Sequence, residues 1–276
     1  EALHVMAHGR SFRGRVRDGL VRKGAPALEV FVEFRARGGD HRAGLRHAGG
    51  SWEARLDAAP VAQLGELCAA LAVISFEPGS HALVDGGGEQ RRRYLDWGLF
   101  HVEREAAGDD FLATWQRYTR ALKQRNAMLR TGRPAASQLD AWEHELALHG
   151  ERLTAQRELY VARLQTALQP LLAQLLPAAG EAQLILQPGW RRADLALADA
   201  LLLARERDVA AGHTSVGPHR ADLRIELRDL PSADTLSRGQ TKLLALCLLL
   251  AQAGQLAAHA GAWPVLQLDD LGSELD

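Results

Sequence analysis

Residues 234–250 read "DTLSRGQTKLLALCLLL". Ser237 is a natural cap for the helix that the leucine-rich run predicts, and Gly239 lets the backbone approach whatever stands at that helix's positive end. Exposed N–H groups at such a tip, beside a small-residue turn, make an anion site suited to a phosphate. The same residues also read as an ordinary cap and a buried helix. That reading accounts for Ser237 and the leucines but leaves Arg238, Gly239 and Gln240 unexplained.

Downstream, residues 264–276 read "PVLQLDDLGSELD". Val265, Leu266 and Leu268 predict a short buried strand, which puts Asp269 and Asp270 at its carboxyl end, where open α/β sheets gather ligands. A carboxylate there can hold Mg²⁺, usually through water, while its neighbour orients an attacking water against a phosphate. An isolated acidic pair is more often the cap of a following turn. The phosphate-type helix tip upstream shifts the balance toward chemistry.

Composition sets the frame. The chain has 276 residues and is 47% hydrophobic, enough for one large domain or two ordinary ones and too apolar for disorder. Lys plus Arg number 33 against 34 Asp plus Glu, so only local patches can speak for a polyanion partner. Cys68 and Cys247 lie far apart without metal-type spacing, which fits a reducing, cytoplasmic setting better than a disulfide framework. The apolar segment 242–262 carries Lys242, glutamines, glycines and a histidine, and reads as a buried helix and not as a membrane span. Glu1 opens without a signal-peptide pattern, and Glu1-Ala2-Leu3-His4 begins as if inside a helix.

Along the chain, Leu28 to Arg37 is strand-like and breaks at Gly38-Gly39-Asp40; with Ser51 to Leu56 it predicts a hairpin or meander. Val61 to Ala70 reads as a helix, Leu71 to Phe76 as a strand, and Gly86-Gly87-Gly88 as a flexible connection. After Arg91 the period turns helical. Trp115, Tyr118, Leu122 and Leu129 share one sector, and Arg120, Lys123 and Arg130 another. Leu139, Trp142, Leu146, His149 and Leu153 continue as a second helix to about Leu168, before Pro170, so two long antiparallel helices are expected. Turn residues from Gly212 to Pro218, a strand at Asp222 to Leu227 and the helix from Gly239 close the pattern. The fold class expected is α/β: a mixed body interrupted by a helical insertion, divided as 1–79, 80–210 and 211–276.

Taken as a series, these blocks resemble a known family. L-S-R-G-Q before an apolar helix, a strand ending in D-D, and then S-E-L-D resemble the signature, Walker B strand and D-loop of ABC-type ATPase heads. With "GRSFRGR" (9–15), "ISFEP" (74–78), "RRRYLDWGLFH" (91–101), "RYTRALKQRNAMLR" (117–130) and "GPHRADLRI" (217–225), the resemblance narrows to the RecF family of recombination mediators. It implies an ABC-type P-loop ATPase head with an inserted α-helical arm. Asp269 matches the Mg²⁺-holding aspartate and Asp270 the carboxylate that polarises the hydrolytic water. Ser237, Arg238, Gly239 and Gln240 match the signature that contacts ATP held by the opposite subunit. Ser273, Glu274 and Asp276 match the D-loop at the same interface of an ATP-bound homodimer. Glu77 falls in the Q-loop region, where no Gln stands. The implied cofactors are ATP and Mg²⁺, and the implied partners are gapped DNA, RecO and RecR, with no membrane. No G-x-x-x-x-G-K-[ST] occurs in the sequence. The resemblance places that P-loop just before residue 1 and a switch histidine beyond 276, so this stretch alone is expected not to hydrolyse ATP.

Arg13, Arg15 and Arg17, with Arg10, Arg22 and Lys23, form one basic run, and Arg117, Arg120, Lys123, Arg125, Arg130 and Arg133 another that contains no acid. Each run is either a solvated face or a set of phosphate contacts, and the latter predicts a log-log salt slope of about −0.9 per phosphate neutralised. With Trp115 and Tyr118 on the apolar sector, backbone binding is expected over base reading. His213 and His219 read as loop histidines without metal spacing. Two rivals stand beside this reading. An SMC-like or double-strand-break repair head would need a longer coiled-coil insertion, and a metal-dependent nuclease would need further converging carboxylates.

Overall fold

The computed structural model describes residues 1–12, 20–36, 39–48, 50–102, 110–132, 136–228 and 236–269. They form two compact units, residues 1–80 with 249–276, and residues 81–248. The expected segments 1–79, 80–210 and 211–276 differ from this at the second boundary, because residues 211–248 gather with the middle unit.

In the first unit, alternation in Leu28–Ala36 builds strand β1, whose inward Leu28, Val30, Val32 and Phe34 pack on the core. Strand β1 pairs antiparallel with β2 (Gly39–Ala48), β2 with β3 (Ser51–Leu56), and β3 with the short β4 (Ala59–Pro60). The expected meander is therefore four-stranded. Asp57 and Ala58 take positive φ values of 50° and 68° in the last hairpin, the left-handed turn that matches strand twist. The Asp57 carboxylate accepts the Arg42 N–H at 2.9 Å and stands 2.8 Å from His41 Nδ1, which fixes the turn.

Helices α1 (Ala2–His8) and α2 (Leu64–Ala70) supply Val5, Met6 and Leu67 to a core shared with Ala43, Leu45 and Ala54 of the meander. Helix α2 starts three residues later than its sequence suggests, because Val61 is held extended by its N–H bond to the Ala54 carbonyl. Gln63 and Glu66 then form a capping box. Strand β5 (Val73–Phe76) pairs in parallel with β8 (Val265–Leu268), Val73 opposite Val265 and Phe76 opposite Leu268. Here an expectation fails. Val265, Leu266 and Leu268 are 41%, 38% and 49% exposed, not buried, because β5 is the one strand that flanks β8 among the described residues.

The second unit is built on α3 (Gly88–Val102), α4 (Phe111–Leu129) and α5 (Ala136–Leu175). Helices α4 and α5 are antiparallel: Arg125 meets Glu143, and one step further along Tyr118 reaches Gly150. A methyl on Gly150 would stand 2.4 Å from Leu197 Cδ2 and 3.2 Å from the Tyr118 ring, so glycine permits this close approach. Helix α5 does not stop before Pro170. It continues to Leu175, because Leu164, Leu168 and Leu172 are fully buried on one face and outweigh the single N–H that proline removes. Strand β6 (Ala182–Gln187) pairs antiparallel with β7 (Asp222–Leu227). Gln165 and Gln169 tie α5 to the Ala182 carbonyl. Arg91 grips Asp222 through Nε and Nη2 at 2.7 and 2.9 Å, and Arg157 grips Asp96.

Helix α6 (Leu197–Ala211) and the turn after it close round a buried ionic knot. Arg125 is fully buried and donates to Glu143 at 2.8 Å, Asp208 at 2.8 Å and Thr214 at 2.8 Å. Arg205 adds a second cation on Glu143, and Ser215 N–H donates to Asp208. The basic run of the sequence thus loses one member to the core. Trp115 also departs from expectation: it is 37% exposed, and its indole N–H donates to Asp96 at 3.2 Å.

The last helix, α7 (Arg238–Ala260), buries Leu244, Cys247, Leu248 and Leu256. By length and composition it is apolar enough to cross a membrane, and half of its most apolar window is buried inside the protein. Cys68 and Cys247 are both free, and burial pushes both thiols up to about 11.

Candidate nucleotide and nucleic-acid site

The tip of α7 carries a complete capping box. Gln240 N–H donates to Ser237 Oγ at 3.3 Å, and Ser237 N–H donates to Gln240 Oε1 at 2.9 Å. Thr241 closes the first turn, its N–H and hydroxyl both donating to the Ser237 carbonyl, at 2.9 and 3.0 Å. Ser237 and Arg238 are exposed at this tip, and Gly239 is half-buried. Because Ser237 Oγ accepts from Gln240, its own proton stays available to an incoming anion. The box positions the turn as well as stabilising the helix.

Asp269 follows β8 directly, and its N–H donates to the Phe76 carbonyl at 2.9 Å, so the parallel pairing reaches the carboxylate. Asp269 is half-buried at the carboxyl end of the strand, as the sequence predicts. Among the described residues no three metal-ligating side chains cluster. A single carboxylate suits Mg²⁺, which keeps several waters and takes substrate phosphate oxygens as its other ligands. Asp270, Ser273, Glu274 and Asp276 lie outside the described residues. Glu77, on the loop after β5, turns inward on that loop: its carboxylate accepts from Gly79 N–H at 2.6 Å, and its own N–H donates to Ser80 Oγ at 2.9 Å.

Of the basic candidates, Arg120, Lys123 and Arg130 are exposed, as is Arg117. Helix α4 contains no acidic residue, and among the described residues these four cations have no ion-pair partner. Some surface cations elsewhere are paired, Arg42 with Glu33 and Arg192 with Glu151. Arg13, Arg15 and Arg17 lie outside the described residues, while Arg10, Arg22 and Lys23 are exposed.

His219, expected as a loop histidine, is structural. Its Nε2–H donates to the Thr214 carbonyl at 3.0 Å, which leaves the Nδ1 lone pair to accept the Tyr118 hydroxyl at 2.7 Å. Burial, with Arg220 and Arg92 nearby, lowers its pKa to about 4. His4 and His8 behave alike in the first unit. Their rings stack at 4.2 Å. His4 meets Ser75 Oγ at 3.0 Å, and His8 Nε2–H donates to the Val73 carbonyl at 3.0 Å. Burial lowers them to about 3 and about 4. His4 and His8 stand four residues apart on one face of α1, but the strand that buries them, β5, reaches them only in the fold.

No protein-family model matches the chain. It is 61% identical over 281 aligned positions to the DNA replication and repair protein RecF of Stenotrophomonas maltophilia, covering 100% of this chain and 76% of that protein. The chain belongs to the RecF family. The RecF of Xanthomonas axonopodis pv. citri is 60% identical, and that of Shewanella amazonensis 35%, each over the whole of this chain and 75% of the relative. Among solved structures, the ATP complex of the recombination mediator RecF from the RecFOR pathway superposes with a TM-score of 0.88 at 24% identity, over 100% of this chain and 76% of that one. A second RecF nucleotide complex from that pathway superposes with a TM-score of 0.86 at 25% identity. The fold is thus the ABC-type ATPase head of RecF, α/β in class. The Ser237 turn and Asp269 of this RecF-family chain sit on the elements that the sequence assigned to them.

Proposed function

We propose that the intact protein is an ATP-gated DNA-binding dimer that acts as a recombination mediator in DNA replication and repair, helping to load recombinase at gaps. ATP would bind in two composite sites, each made from one subunit's Asp269 edge and the other's Ser237 turn. The capped but exposed tip of α7 is the observation that carries this reading. Ser237 Oγ–H and the first N–H groups of α7 donate to the γ-phosphate, and the helix dipole favours its negative charge. Gly239 keeps that approach clear of a side chain. Nucleotide then acts as glue at the interface, and dimerisation follows ATP by mass action.

Asp269 would hold Mg²⁺, which neutralises charge on the phosphates when bound. Asp270 is assigned, on sequence grounds, to accept a proton from the hydrolytic water, and Ser273, Glu274 and Asp276 to the dimer contact. Duplex DNA lies against Arg120, Lys123 and Arg130 through its phosphates. RecO and RecR are the proposed protein partners, and the cytoplasm the proposed location.

The test is to size the intact Ser237→Arg variant with and without ATP. The long cation at the tip crowds the γ-phosphate, so ATP binding is retained while ATP-induced dimers are lost. An unaltered ATP-induced dimer refutes the composite site.

A further inference from the structure

Between α4 and α5 lies a cavity of about 310 Å³ lined by Arg117, Arg120, Trp142, Glu145, Leu148 and His149. Its parts are unlike one another. Arg117 and Arg120 belong to the basic face of α4, which has no ion-pair partner among the described residues, whereas Trp142, 56%-exposed Leu148 and His149 come from α5. His149 is 5% exposed; its Nε2 stands 3.3 Å from Glu145 Oε2, and among the described residues its Nδ1 has no hydrogen-bond partner.

We propose that this cavity receives an unpaired base of single-stranded DNA, with the flanking phosphates held by Arg117 and Arg120. The proposal rests on the DNA-binding reading of α4 and extends it from backbone contact to a seat for one nucleotide. Charge complementarity brings a polyanion to α4, since four exposed cations stand there without a counter-ion among the described residues. Glu145 then decides which part of the nucleotide enters. Its carboxylate repels a phosphate, or an acidic side chain, from the interior, and accepts hydrogen bonds from the amino or imino groups of a base edge. The indole of Trp142 and the side chain of Leu148 give the base an apolar wall, and guanidinium planes stack on bases as aromatic rings do. Bases paired within a duplex cannot reach the cavity, so the seat selects single strands. Duplex DNA uses the basic face alone.

The experiment measures affinity of the intact protein for a single-stranded oligonucleotide and for a duplex of the same sequence, by fluorescence anisotropy. Trp142→Ala weakens single-strand binding about tenfold, the effect of losing one base–aromatic stack, and leaves duplex binding unchanged. Trp142→Phe restores most of the loss. Leu148→Ala, at an exposed position that folding tolerates, gives a smaller loss in the same direction. Arg120→Ala weakens both ligands. If Trp142→Ala and Leu148→Ala leave single-strand affinity intact, or weaken both ligands equally, the seat is refuted while the basic face stands. If Arg120→Ala changes neither, the DNA-binding reading of α4 itself fails. Binding of polyglutamate that Trp142→Ala abolishes, with single-strand affinity untouched, assigns the cavity to an acidic protein and overturns the proposal.

Discussion

Arg125→Ala tests whether the helical unit is organised round a buried charge. The guanidinium is fully buried and divides its hydrogen bonds among Glu143, Asp208 and Thr214, which come from α5, α6 and the turn after α6. Removing one partner of a buried ion pair costs about 3–5 kcal/mol, because the other is left charged in a poor solvent. Here Glu143 keeps Arg205, and Asp208 keeps the Ser215 N–H at 3.1 Å, so the lower end applies, about 3 kcal/mol. For a unit of this size each kcal/mol lowers the melting temperature by about 2–4 °C. The expected shift is about 6–12 °C, read by calorimetry on the intact protein. Adding Asp208→Asn to Arg125→Ala removes the stranded charge and recovers about half of the loss. A shift below about 2 °C, or no recovery in the double variant, refutes the reasoning.

Three further outcomes follow from the same geometry. Gly150→Ala gains helix propensity of about 1 kcal/mol but drives a methyl to 2.4 Å from Leu197 Cδ2, so a net loss of about 1–2 kcal/mol is expected in urea denaturation, and a gain would contradict the close approach. His219 has a folded pKa of about 4 against 6.5 unfolded, so the unfolded chain binds the extra proton between those values. Stability contributed by the neutral ring is complete above pH 6.5 and falls as pH drops toward 4, by about 3 kcal/mol. His219→Gln flattens that part of the profile, and an unchanged slope between pH 4 and 6.5 would count against the assignment. Lys123→Ala reduces the salt slope of duplex binding by about one; a slope unchanged at lower affinity would mean that Lys123 touches no phosphate.

The parts of the fold that sequence reveals are those whose local chemistry and final environment agree. Strands Ser51–Leu56 and Asp222–Leu227 alternate polar with apolar residues and appear at those residues, whereas Val265–Leu268 appears as the expected strand but not as a buried one. The N-cap of α7 is equally local, since Ser237 and Gln240 lie three apart and meet within one turn. Strand β2 escaped because its inward Ala43, Leu45 and His47 are interleaved with glycine and arginine, which makes a weak period. Arg125 read as a surface cation because its partners Glu143 and Asp208 are distant in sequence. Nothing in a helical wheel shows that an acid from another helix will bury it. The cavity beside α4 was missed for the same reason: its aromatic wall, Trp142, is contributed by α5. Pro170 misled in the opposite direction, since a local rule for ending helices yields to three leucines buried on one face.

The composite nucleotide site is tested most directly by mixing two variants of the intact protein, Ser237→Arg and Asp269→Ala, and following ATP-dependent association by analytical ultracentrifugation. Each variant alone has a defect in both sites of its homodimer. A mixed pair regains one site, with Asp269 from the first subunit and Ser237 from the second. The account predicts monomers in each separate sample and ATP-dependent dimers on mixing. Failure to associate on mixing, or wild-type dimers from either variant by itself, would contradict it.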